Sequence, residues 1–180
     1  MEKEDNAPYV IWEKDGLLTA TTAAGGIKTD YKTILAHLHH LIEEYDIDLV
    51  KIGYDPHNAS AFLADLEDFG CDLVEIKQSA RSLNDATVDF ALEVKAHNIE
   101  YDERNKLLTR SMNDAVLSEP NSFGEVKIDK MRQKDRIDPC DAAICAHKLA
   151  MIEEVEEITT NQSVEAYLKM FGREEGETTD

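Results

Sequence analysis

The chain has 180 residues, 42% of them hydrophobic, which is enough for one domain with a full core. Its 38 acids against 19 lysines and arginines give a net charge of -19, so the surface as a whole repels nucleic acid. The first residues are polar and no run of eighteen apolar residues occurs, so neither a signal peptide nor a membrane span is expected, and a cytoplasmic location is. Cys71, Cys140 and Cys145 form no CxxC pair, and their odd number argues against a disulfide framework.

Residues 1–8 read as a polar lead-in, residues 9–157 as one folded domain, and residues 158–180 as a peripheral helix, Ser163 to Phe171, with an acidic tail. Tyr9 to Glu13 and Leu17 to Thr22, separated by Lys-Asp-Gly, suggest two short strands in a hairpin. Ala23 to Thr29 contains Gly25, Gly26 and Lys28-Thr29, but the spacing is not that of a Walker A loop, so no nucleotide site is expected. Asp30 is placed to cap a helix through Tyr45 whose stripe of Ile34, Leu35, Leu38, Leu41 and Ile42 would pack on a sheet. His37 and His40 share a face there, and surface histidines rather than a metal pair are the expected reading.

Leu49 to Asp55 is an apolar run that ends on a carboxylate before Pro56, as a short buried strand does. A helix from Asn58 to Phe69, stopped by Gly70, leads to a second strand, Asp72 to Ile76, which makes a parallel strand-helix-strand unit. Ligands of open α/β sheets sit beyond the carboxyl ends of the strands, so Asp55 points at a site; equally, it is placed to cap the following turn. The loop with Gln78 and Ser79 lies at the next strand end, either as a phosphate contact or as an ordinary polar loop. Helices are expected from Leu83 to His97 and from Asp102 to Leu117.

Glu125 to Arg136 carries Lys127, Lys130, Arg132, Lys134 and Arg136, the place where a phosphate backbone could land, or else a solvated turn. Asp138-Pro139 then looks like a helix N-cap, with Asp141 at the third helical position, where an acid supports the cap. The same spacing puts both carboxylates on one face of one helical turn. If that turn abuts the end of the Asp55 strand, three carboxylates converge, and such a cluster suits hard divalent cations, Mg²⁺ or Mn²⁺. Two ions roughly 4 Å apart can activate water and stabilise the leaving oxygen of a phosphodiester.

Tyr9-x-x-Trp12-x-x-x-Gly16-Leu17, Ile27-x-x-Asp30-Tyr31, Tyr54-Asp55-Pro56, Gln78-Ser79, Asn113, Lys130 and Arg136-Ile137-Asp138-Pro139, in this order and spacing, resemble the nuclease domain of the large terminase subunit of tailed bacteriophages. The likeness covers roughly residues 9 to 152. It implies an α/β fold of the RNase H-like type, a mixed sheet flanked by helices and incomplete at the N-terminus, shared with Holliday junction resolvases. It implies a two-metal endonuclease that cuts concatemeric phage DNA during packaging, with Asp55 and Asp138 as catalytic metal ligands and Asp141 as a further ligand. The implied partners are double-stranded DNA, the packaging ATPase domain, the small terminase subunit and the portal, with homo-oligomerisation as an option and no membrane.

The family's domain opens with a strand that carries a first catalytic Asp, and nothing before Tyr9 resembles it. The isolated chain is therefore expected to be a weak nuclease, and the strand ending at Asp55 to be paired across its second edge by another copy, by the hairpin of residues 9 to 22, or by the rest of a longer protein. The alternatives are a terminase-derived interaction module without catalysis and a junction-resolvase-like nuclease that prefers branched DNA.

Overall fold

The computed structural model describes residues 7–21, 30–57 and 63–171, the side chains of 153–159 and 163–171 excepted. In chain order the elements are α1 (Tyr9–Lys14), α2 (Tyr31–Tyr45), β1 (Lys51–Tyr54), α3 (Leu63–Glu67), β2 (Asp72–Glu75), α4 (Ala80–Lys95), α5 (Lys106–Asp114), β3 (Ala115–Leu117), β4 (Ile128–Lys130) and α6 (Asp138–Phe171).

The strand-helix-strand unit forms as its sequence suggests. β1 and β2 pair in parallel, Lys51 opposite Asp72 and Tyr54 opposite Glu75, and the Ile76 amide extends the ladder to the Tyr54 carbonyl at 2.8 Å. Gly70 takes φ +69°, a left-handed conformation that only glycine adopts cheaply, where α3 gives way to β2. Of the helix expected from Asn58, residues 58–62 lie outside the described part, and Leu66 is buried. Among the described residues β1 pairs with β2 alone, and β3 and β4 form a second, antiparallel two-stranded sheet.

α6 is the spine of the molecule. Leu149 joins Ile76 and Leu83 in one buried cluster, and Cys140 and Ile144 join Ala86 in a second, with Phe90, Met112 and Ile128 packed around it. One helix therefore gathers the parallel pair, α4, α5 and the antiparallel pair onto its apolar side. β1 reaches this spine through Gly53: a Cβ there would stand 2.5 Å from Ile76 Cδ1 and 3.0 Å from Leu149 Cδ1. A side chain at that point would have to push aside the tips of Ile76 and Leu149, so glycine lets strand and helix approach each other.

Four expectations are corrected. Tyr9 to Glu13 is helix, not strand: the amides of Ile11 and Trp12 both reach the Pro8 carbonyl at 3.0 Å, and residues 17–21 form no strand, so no hairpin stands beside β1. The helix buries Trp12 and packs Tyr9 edge-on against it, ring centroids 5.7 Å apart, while the β-branched Val10 and Ile11 that suggested a strand face solvent. The helix expected through Leu117 stops at Asp114, because Ala115 turns extended and pairs with Lys130 in β3–β4. Ser163 to Phe171 is no separate helix but the continuation of α6, and α2 buries no residue on the stripe that should have packed on a sheet. Asp30 does cap α2, accepting from the Thr33 amide at 3.3 Å, and His39 stacks on Phe69 while His40 pairs with Glu44, so the histidines of α2 are held by surface contacts.

Gly53→Ala is expected to destabilise the chain by about 1–3 kcal/mol through overpacking against Ile76 and Leu149. Ile76→Val, which removes the colliding Cδ1 atom, should recover part of that loss in the double variant. Strictly additive losses in urea unfolding would contradict this.

Candidate active site

A cleft of about 620 Å³ opens between β1 and α6. Residues 48–51, Gly53 and Asp55 line it from the β1 side, and the helix lines it with Asp138, Asp141, Ala142, Cys145, Ala146, Leu149 and Ala150, one stripe at helical spacing. Asp55, Asp138 and Asp141, from elements far apart in sequence, thus share one space, with Asp48 a fourth acid on its wall. Asp55 stands exposed one residue beyond β1, where its Oδ1 also accepts the His57 amide at 2.9 Å, so the turn-capping and site-facing readings hold together.

Asp138 is not the N-cap of α6. It is the first helical residue, since the Asp141 amide bonds the Ile137 carbonyl at 2.9 Å, one position earlier than the sequence suggests. The orphan amide of Cys140 is satisfied by another element, donating to the hydroxyl of the buried Ser111 on α5 at 2.9 Å. With the cap supplied from α5, the two acids of the first turn are held toward the cleft.

Crowding has an electrostatic signature. Burial pushes the Asp141 carboxyl above the usual carboxylate range, the Lys127 ammonium opposes that rise, and the charges of Asp138 and Asp55 add to it. The Cys145 thiol is likewise pushed up by burial, against the side-chain amide of Gln78, which lies 3.5 Å from its sulfur. Among the described residues no three His, Cys, Asp or Glu side chains close into a ready-made metal cage. The donor set is nonetheless all carboxylate oxygen at the mouth, the chemistry that hard cations take, and Asp141 carries a charge-crowding penalty that a cation would relieve.

The five basic residues divide. Lys127 turns inward, its Nζ 3.2 Å from the Gln78 carbonyl, whereas Lys130 at the end of β4 and Arg132, Lys134 and Arg136 beyond it are exposed. A turn closed by the buried Asp135, which accepts the Arg132 amide at 2.8 Å, holds that outward segment. Gln78 lines the cleft, but Ser79 does not: its hydroxyl caps α4 by accepting the Ser82 amide at 3.2 Å. Sequence reasoning missed Lys51 and Cys145 as cleft residues. Counting back in twos from Asp55 and forward by four from Asp141 would have found both.

A family model described as "Terminase large subunit, endonuclease domain" matches residues 1–154. The chain belongs to that family. Over 138 residues it is 29% identical to the large terminase subunit of Enterobacteria phage HK97, a match that covers 76% of this chain and 26% of that protein. The crystal structure of the HK97 bacteriophage large terminase superposes with a TM-score of 0.68 at 27% identity, covering 82% of this chain and 30% of that one. This terminase nuclease domain therefore has the α/β, RNase H-like fold of its family and spans under a third of the length of the relatives it matches. No helix among its described residues is long and apolar enough to cross a membrane.

Two variants probe how the acids are held. Ser111→Ala, which strands the Cys140 amide, is expected to cost about 1–2 kcal/mol in urea unfolding; no loss would show the cap to be dispensable. Asp141 has a raised folded-state pKa, so its ionised form opposes folding at neutral pH and the penalty fades as pH falls through that pKa toward the unfolded value. In metal-free buffer Asp141→Asn should therefore raise Tm at neutral pH, with the gain shrinking on acidification; a lower Tm at pH 7 would refute this.

Proposed function

We propose that this domain is a metal-dependent endodeoxyribonuclease, the part of a phage DNA-packaging terminase that cuts concatemeric viral DNA by two-metal phosphodiester hydrolysis. The observation that carries this reading is the convergence of Asp55, Asp138 and Asp141 on one cleft, with Asp141 feeling the charge of the other two. Mg²⁺ or Mn²⁺ would be held by these three carboxylates, Asp55 at the strand end and the acids of the first α6 turn opposite it. When bound, such ions supply Lewis-acid activation of water and of the leaving oxygen.

The chain's own groups position the substrate. Lys130, Arg132, Lys134 and Arg136, exposed at the end of β4 and in the segment that follows, would track the phosphate backbone of double-stranded DNA, which fixes register without reading sequence. Gln78, on the cleft wall, would steady a phosphate there. The net charge of -19 opposes duplex binding elsewhere on the surface, so affinity for DNA would come with the ATPase domain, the small subunit and the portal in an assembled packaging machine. The second edge of β1, unpaired among the described residues, would be covered by the remainder of a large subunit.

A second reading, a terminase-derived interaction module without catalysis, draws on the open arrangement of the acids, which do not close into a cage. Titration with Mn²⁺ separates the two. For a nuclease, Mn²⁺ at a hundredfold excess over its Kd should stabilise the chain by about 2.7 kcal/mol, and Asp55→Asn with Asp138→Asn should abolish both that shift and Mn²⁺-dependent nicking of linear duplex. A wild-type chain whose Tm ignores Mn²⁺ would favour the module, and cleavage confined to branched DNA would favour a junction resolvase.

A further inference from the structure

Four of the five basic residues are exposed, and the fifth is not. Lys127 is half-buried, and its backbone is clamped from two sides. Its amide donates to the Ser118 hydroxyl at 3.2 Å, its carbonyl accepts the Ser118 amide at 2.8 Å, and the neighbouring Val126 amide donates to Asn84 Oδ1 on α4 at 2.9 Å. The far end of the side chain is fixed as well, by the Gln78 carbonyl at 3.2 Å, three residues beyond the β2 terminus and next to the Gln78 side chain that lines the cleft. A lysine tied at both ends has surrendered its rotamer freedom, which a residue that only follows the phosphate backbone has no reason to do. An ammonium carries three donors, and the Gln78 carbonyl takes one.

On the strength of this geometry, and resting on the nuclease reading above, we propose that Lys127 is a catalytic residue: its fixed ammonium contacts a non-bridging oxygen of the scissile phosphate, and without substrate it serves as resident counter-ion to the carboxylate wall. The lysine makes and breaks no bond and transfers no proton. It offers a preorganised positive charge where negative charge grows as water adds to phosphorus and the ester oxygen departs, and such preorganisation is effective because nothing reorients at that moment. The Lys127 charge also opposes the rise that burial imposes on the Asp141 carboxyl.

The roles of Lys127 and Lys130 are separable. Removal of a resident cation beside the carboxylates should strengthen divalent binding: by calorimetry without DNA, Lys127→Gln is expected to bind Mn²⁺ at least threefold more tightly, and Lys130→Gln to match wild type. With DNA and Mn²⁺ saturating, Lys127→Gln should cleave about a hundredfold more slowly, the scale of losing one preorganised donor, with Kd for duplex and its salt slope nearly unchanged. Lys130→Gln should instead weaken duplex binding and lower the salt slope by about one. Lys127→Arg, which keeps the charge, should recover part of the rate. Should Lys127→Gln fail to fold, the wild-type Lys127 Cε resonance, identified through Lys127→Arg, must move with Mg²⁺ saturation, and a resonance that stays put overturns the proposal. It is also overturned if Lys127→Gln binds Mn²⁺ no better than wild type, or if it loses duplex affinity as Lys130→Gln does. If wild type binds and cleaves normally in those cases, only the role of Lys127 fails; if wild type binds no Mn²⁺, the nuclease reading fails and takes this role with it.

Discussion

The approach of β1 to α6 over Gly53 is the constraint on which the site depends. A strand and a helix normally stand apart by the thickness of their side chains; here one strand position has none, and Ile76 and Leu149 close over the space. That contact sets the depth of the cleft and the height at which Asp55 emerges above the sheet. Farther along the same helix, Ile144 and Cys140 lock its first turns against α4 and α5. The Ser111 hydroxyl takes the orphan amide that a side chain of the helix would otherwise have to satisfy. Two acids at a helix start usually serve the helix; relieved of that duty, they serve the cleft.

Holding carboxylates together has a free-energy cost, and it is legible in Asp141. Burial is the largest cause of its raised pKa, and the like charges of Asp138 and Asp55 come after it. Such a group resists ionisation unless a positive charge is near, and Lys127 supplies one in part. Asp138 and Asp55 are exposed to water, whereas Asp141 is half-buried. Net charge alone is a poor guide here, since repulsion acts locally among three side chains and the excess acids elsewhere contribute little across a Debye length.

Much of this was readable in the residues, and what was not has definite causes. The parallel pair, its crossover, the stop at Gly70 and the three acids follow from apolar runs, turn residues and carboxylate placement. Tyr9 to Glu13 misleads because a short apolar run does not reveal its own period: Trp12 finds cover under the Arg110 guanidinium, 5.8 Å from its ring centroid, a contact that no local pattern encodes. Ala115 to Leu117 would extend a helix on propensity, but pairing with β4, more than ten residues on, overrides it. The length of α6 could have been anticipated, since neither Gly nor Pro interrupts the chain from Cys140 to Phe171. Which way Lys127 faces could not have been read at all, because its anchor on Gln78 lies across the fold.

On the nuclease reading proposed above, this acidic chain would put its few cations to more than one use, and the division falls within twelve residues. The antiparallel β3–β4 pair anchors one end of the basic segment to α4 and to Gln78, and the turn closed by Asp135 presents the rest to solvent. An inward cation among carboxylates lowers their mutual repulsion but competes with any metal ion for the same oxygens; an exposed cation such as Lys130 or Lys134 stands in water, where phosphate can approach it. The proposed roles would thereby divide affinity and chemistry between different lysines of one short segment. Because the segment ends where α6 begins, a shift of the hairpin on α4 would move the inward charge and the first-turn acids relative to each other. The packing of β4 against α6 through Ile128 opposes such a shift, so the arrangement of charges is set by the apolar core rather than by the charges themselves.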